Sequence, residues 1–206
     1  MKYIEMIQRL QIQFPDVAEG MITALFNQYS KVFQRETYYG TITSATIPAE
    51  DFVTGNYSGL DVISLEAVSE NGEPFSLIYV DTPDLSSGRV KVSNQKFYFI
   101  NDNTIYLCVS DSNGYLTYYS PINDILVTGR FINVEQLITE DTTTESDIDD
   151  TLALSVLYAV YSELYKILTK EIDLAEYYKK EFREAQRQYK KYGLSAKRPA
   201  TMRGNW

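Results

Sequence analysis

The chain has 206 residues, 44% hydrophobic and 23% charged, with a net charge of −9; this is the composition of a folded domain with its own core, and it excludes wholesale disorder and collagen-like or low-complexity classes. It has no histidine and a single cysteine, Cys108, so a chain-internal Ser/His/Asp or Cys/His triad, a histidine-ligated metal and a disulfide framework are excluded. The charge is uneven, because nine basic residues face two acidic ones from Lys179 to Trp206, whereas the rest of the chain carries 26 acidic and 10 basic residues: an acidic body ends in a basic arm.

The N-terminal stretch predicts helix. Tyr3, Ile4, Ile7 and Leu10 form one apolar stripe, and Ala18, Met21, Ile22, Leu25, Tyr29, Val32 and Phe33 form a longer one at helical spacing. Pro15 and Asp16 mark the break between them, and Gly40 closes the helical region. No apolar run approaches the ~18 residues of a membrane span, and polar residues interrupt the first 14, so neither a transmembrane helix nor a signal peptide is expected.

From Thr41 to about Phe131 the period becomes strand-like. Asp61–Val68 alternates faces, Asn71-Gly72 supplies a hairpin turn that tolerates positive φ, and Phe75–Val80 follows as the returning strand. A second meander runs through Lys96–Ile100, Thr104–Val109 and Tyr115–Tyr119, with turns at Asn101–Asn103 and Ser110–Gly114. Residues 54–59 and 84–88 read as looser loops. Strand-turn-strand units without intervening helices predict an antiparallel sandwich or small barrel.

Residues 135–150 read as an acidic linker ending in a helix start, where Ser146, Asp147, Asp149 and Asp150 offer a cap and first-turn carboxylates. Two helices follow, at 148–168 and 174–192. Leu157, Val160, Leu164 and Leu168 form the packing face of the first, and Tyr178, Phe182, Ala185 and Tyr189 a narrow stripe on the second; the short link makes them antiparallel neighbours. Gly193 suits the position after the helix, and residues 194–206 form an extended tail. The predicted fold is therefore α+β. Residues 1–40 and 146–193 make a helical domain, and residues 41–135 an inserted β domain.

Few residues offer chemistry. Cys108 lies in the alternating stretch Thr104–Val109 and reads as a buried strand thiol. The acids Glu145, Asp147, Asp149 and Asp150, and the segment Asp111–Gly114, both lack the spacing of a calcium loop and read as a helix cap and a hairpin turn. Gly55–Gly59 is not a nucleophile elbow, since its glycine is misplaced and no histidine exists to activate Ser58. No phosphate loop is present, no cofactor is indicated, and no pair of acids stands out as a glycosidase pair. The eighteen tyrosines point to surfaces buried on assembly, or to an aromatic glycan-binding face.

The order of segments resembles a known family. A helix runs into an aromatic-Thr junction in Leu25-Phe-Asn-Gln-Tyr-Ser-Lys-Val-Phe-Gln-Arg-Glu-Thr37, and strands lead to Ile63-Ser-Leu-Glu-Ala-Val-Ser-Glu-Asn-Gly-Glu-Pro-Phe75. Paired helices follow in Asp149-Asp-Thr-Leu-Ala-Leu-Ser-Val-Leu-Tyr-Ala-Val-Tyr161 and Asp173-Leu-Ala-Glu-Tyr-Tyr-Lys-Lys-Glu-Phe-Arg-Glu-Ala185. This collinear set is similar to the head-to-tail adaptor of short-tailed bacteriophages, the tail tubular protein A family.

The resemblance implies a structural virion protein rather than an enzyme: a ring, commonly of twelve subunits, that joins the portal protein to the next tail component and surrounds the channel through which DNA passes without specific binding. It would be assembled in the host cytoplasm and reside in the virion neck. Lys197, Arg198, Arg203 and Trp206 are then expected to dock the tail on the portal. The competing reading is a glycan-binding or fibre-associated β module of a phage tail.

Overall fold

The computed structural model describes residues 1–80, 85, 88–138 and 148–193. The fold is α+β, with four α-helices and two sheets that are mainly antiparallel; neither sheet closes into a barrel among the described residues. The chain divides into two compact units, Met1–Tyr39 with the described residues from Asn133 on, and Gly40–Ile132.

In the helical unit, α1 (Tyr3–Gln13) buries Tyr3, Met6, Ile7 and Leu10, the spacing of one helix face. Phe14 caps it and is itself buried, and Pro15 cannot continue the helix. The second helix, α2 (Glu19–Thr37), buries Ile22, Phe26, Ser30, Phe33, Gln34 and Thr37. The buried stripe is thus rotated from the one the apolar spacing predicts: Met21, Leu25 and Tyr29 lie at its margin and Val32 is exposed. The rotation has a physical cause in hydrogen bonding. Gln34 accepts from the Asn133 amide at 2.7 Å, Asn27 exchanges two bonds with the backbone of Ile138 at 2.7 and 2.8 Å, and Thr37 donates to the Phe33 carbonyl at 2.6 Å. Polar side chains seven residues apart on α2 thereby fasten the returning segment 133–138 by supplying partners to its backbone. The helix closes at Tyr38, in the left-handed region at φ 53°, two residues before the predicted Gly40.

The third helix, α3 (Asp150–Leu164), is the centre of this unit. Asp149 caps it, its carboxylate accepting from the Leu152 amide at 3.0 Å. Leu152, Ala153, Val156, Leu157, Ala159, Val160 and Leu164 are all buried. Beyond Leu164 the chain passes into a π-helical turn, Tyr165–Thr169, then Lys170 in the left-handed region, then α4 (Ile172–Gly193). The first of the two predicted helices is therefore shorter and ends in a wider turn. Gly193, predicted just beyond the last helix, is its final residue.

The β unit contains one sheet of β1 (Thr43–Ile47), β9 (Ile125–Phe131), β3 (Val62–Glu70) and β4 (Glu73–Pro74), in that order. The other is built from β2 (Asn56–Tyr57), β7 (Thr104–Ser110), β6 (Lys96–Asn101) and β5 (Ser76–Leu77), with β8 (Leu116–Tyr118) also on β7. Ile47, Val62, Val68, Ile125 and Val127 from the first sheet and Tyr98, Ile105 and Leu107 from the second form one buried cluster with Phe52 and Phe75.

The Asn71-Gly72 turn is present, with φ of 50° and 80°, and so is the Asp102-Asn103 turn, with φ of 45° and 62°. Two expectations fail. The predicted strand 75–80 pairs with β3 only through Glu73 and Pro74 and a bond from the Phe75 amide to Val68, then crosses to the second sheet, where β5 runs parallel to β6. The unit is therefore not wholly antiparallel. Residues 54–59, predicted as loop, include β2 against β7; Gly55, at φ 73°, lets β7 come close, since a Cβ there would lie 3.0 Å from the Leu107 carbonyl and 2.7 Å from that of Tyr119.

Candidate interaction surfaces

The groups that offer chemistry are built into the fold. Cys108 is buried in β7, with its thiol pushed up to about 11 by burial and directed at the Phe97 carbonyl 3.7 Å away, the behaviour of a packing residue. Asp111 accepts from the amides of Asn113 and Tyr115 at 2.8 and 2.9 Å, which is a turn and not a cation loop. Among the described residues no group of three or more His, Cys, Asp or Glu side chains is arranged to hold a metal.

The strongest electrostatic feature is one that the sequence does not disclose. Glu70, at the end of β3 and almost fully buried, accepts from Lys96 Nζ and the Tyr119 hydroxyl, each at 2.6 Å, and from the amides of Ile122 and Asn123, each at 2.9 Å. Burial by itself raises this carboxyl, but the four donors outweigh it and hold it at about 2. Lys96 lies 4.8 Å from the Tyr119 ring centre and 5.5 Å from that of Phe75, and its own pKa is raised by the Glu70 hydrogen bond in spite of burial. All the acceptor capacity of Glu70 is used, so this constellation ties β3, β6 and the segment 119–123 together and has no lone pair left for a substrate.

The predicted helix-pair residues are brought together with one exception. Leu157, Val160, Leu164 and Phe182 are buried; Tyr178 and Tyr189 pack against that core; and Ala185 is half-buried. Tyr178 faces three tyrosines of the α3 segment, with ring centres 6.2 Å from Tyr158, 5.0 Å from Tyr161 and 5.6 Å from Tyr165. Phe33 similarly meets Tyr39, Phe182 and Tyr189 at 6.2, 6.3 and 5.7 Å. Many tyrosines expected at assembly surfaces are thus used inside the unit. Leu168 is the correction: it is 46% exposed, because the π turn widens the helix after the buried Tyr165 and carries Ile167 and Leu168 off the buried face. The predicted tail residues Lys197, Arg198, Arg203 and Trp206 lie outside the described residues.

That rotation creates a surface. Ile167, Leu168, Ile172, Leu174 and Tyr177, all within two turns of the α3–α4 link, are 38% to 57% exposed and form an apolar tip on the helical hairpin. Beside it, α2, α3 and α4 enclose an open groove of about 360 Å³ with Val32, Ala159, Ala175 and Phe182 in its wall. Its acids are engaged: Glu163 accepts from Tyr29 at 3.1 Å and pairs with Lys166 at 3.5 Å, and Glu176 pairs with Lys179 at 3.6 Å. Tyr29 is pushed up to about 12 by burial and by the charge of Glu163.

Asp150–Thr169 is the one described helix long and apolar enough to cross a membrane, with a mean hydropathy of 1.2, although no such span was expected. Half of it is buried within the helical unit, where α1, α2 and α4 surround it, which is also the signature of a core helix. No protein-family model matches the chain, and no curated protein does.

Proposed function

We propose that this chain is a structural subunit that works through binding surfaces: a head-to-tail adaptor that assembles as a ring, commonly of twelve copies, between a portal and the next tail component of a short-tailed phage. The observation that carries the reading is the apolar tip on the α3–α4 hairpin, since a turn that gathers five exposed large apolar side chains is a surface made to be covered. The collinear resemblance to the tail tubular protein A family supplies the kind of assembly, and the two sheets with a shared buried cluster fit a sandwich as its β part. The reactive groups support it too, because Cys108 is buried and Glu70 is saturated. The acidic body suits a channel wall, where like charge lets DNA slide without the counterion release that would hold it.

The basic segment 194–206, with Lys197, Arg198, Arg203 and Trp206, is the portal-docking element. Deleting it is expected to leave the far-ultraviolet circular dichroism and the melting temperature unchanged while abolishing co-sedimentation with portal rings. Undiminished attachment of the truncated chain would remove the tail from the account.

A further inference from the structure

We infer that copies of this chain contact one another head to tail, the apolar tip of one helical hairpin inserting into the α2–α3–α4 groove of the next. The inference rests on the ring reading for its choice of a second copy as the occupant.

Three observations converge on it. First, tip and groove match in chemistry and size. The wall of the groove presents Val32, Ala159, Ala175 and Phe182, and its volume of about 360 Å³ is roughly twice the 150 Å³ that takes a benzene-sized group, enough for two of the tip's aliphatic side chains. Second, the charges that remain unengaged are complementary. Arg183 on the groove rim has no ion-pair or hydrogen-bond partner among the described residues, and neither do the carboxylates of Glu171 and Asp173 on the tip, whereas the groove's acids Glu163, Glu176 and Glu36 are paired with Lys166, Lys179 and Lys190. A tip seated in the groove brings its free acids toward that free guanidinium. Third, the tip lies outside its own groove: Lys166, Ala175 and Glu176, its neighbours in sequence, line the groove, whereas Ile167, Leu168, Ile172, Leu174 and Tyr177 do not.

The two surfaces differ, so the contact is heterologous, and each copy that accepts a tip still has a tip to offer. Repetition of such a contact closes into a ring when the rotation permits. The open groove and the exposed tip are thus the two halves of one interface, and they assign the subunit contact to the helical unit.

Disulfide trapping with two full-length chains tests this, one carrying Leu168→Cys at the tip and the other Val32→Cys in the groove. Both positions are exposed, so the substitutions are compatible with the fold, and the native Cys108 is buried and does not compete. Under mild oxidation the mixture is expected to give a two-chain adduct in clear excess over either chain alone. Arg183→Glu in the groove partner should lower the yield about two- to fivefold, the range of an exposed ion pair, and Asp173→Arg in the tip partner should restore it. Absence of an adduct in the mixture, or an equal yield from the Leu168→Cys chain by itself, overturns the proposal. The ring reading fails separately. An assembly that stops at two copies with tip and groove joined keeps the contact and refutes the ring, and an annulus without the adduct keeps the ring and refutes the contact.

Discussion

Replacing Glu70 with glutamine is expected to destabilise the protein by about 3–5 kcal/mol, the range for breaking one side of a buried ion pair. Glutamine is close in size to glutamate, so the loss reflects charge: the Lys96 ammonium keeps only one carboxylate, Glu73, 3.6 Å away and exposed, and the Tyr119 hydroxyl and two amides face a weaker acceptor. Equilibrium urea unfolding of the two proteins checks this, and a difference below about 0.5 kcal/mol, the ordinary scatter of surface changes, would contradict it. Adding Lys96→Met should return part of the loss, because the stranded ammonium is then gone and the thioether still packs on the rings of Phe75 and Tyr119. The same carboxylate makes the β unit acid-sensitive. Its pKa falls from 4.5 when unfolded to about 2 when folded, so its contribution, about 3 kcal/mol, is fully present above about pH 5 and is lost as the pH falls toward 2. The Gln variant should show a correspondingly flatter decline in stability over that window.

The second large effect is expected at Gly129, in the central strand β9 between β1 and β3. An added Cβ would lie 2.2 Å from the Ser64 carbonyl oxygen and 2.9 Å from Leu65 Cα, both backbone atoms that cannot swing aside. The register of β3 shifts on both sides of Ser64 and Leu65, which brings this backbone close to the glycine. Gly129→Ala therefore forces β3 and β9 apart, and a loss of about 3 kcal/mol, the upper end of overpacking costs, is expected. Its φ is not in the left-handed region, so the demand is for space alone. Hydrogen exchange should show β1, β3 and β9 opening together in this variant, and protection equal to that of the parent protein would contradict the explanation.

How much of this was legible in the sequence depended on whether the signal was local. The stripe Leu157, Val160, Leu164 was readable because a helix repeats its contacts within a few residues, and the Asn71-Gly72 and Asp102-Asn103 turns because their backbone demands are met by the residues themselves. Leu168 continued the stripe by spacing but not in space, since nothing in its neighbourhood announces the π turn. The register of α2 was misread for a different reason: Asn27 and Gln34 look like solvent-facing residues until the segment 133–138, about a hundred residues later, supplies the backbone they bind. Glu70 was invisible for the same cause. Beside Asn71-Gly72 it reads as turn polarity, and its partners Lys96, Tyr119, Ile122 and Asn123 arrive 26 to 53 residues further on. The apolar tip has no local signal either, because Leu168 keeps the spacing of a packing residue and Ile172 lies in the short link between the two helical patterns.

The central claim is assembly into a ring around a channel. Negative-stain electron microscopy of the full-length protein mixed with portal particles tests it most directly. The account predicts closed annuli, commonly twelve-fold, stacked coaxially on the portal with an open centre. Portal particles that stay bare while this protein remains a free single subunit would contradict it.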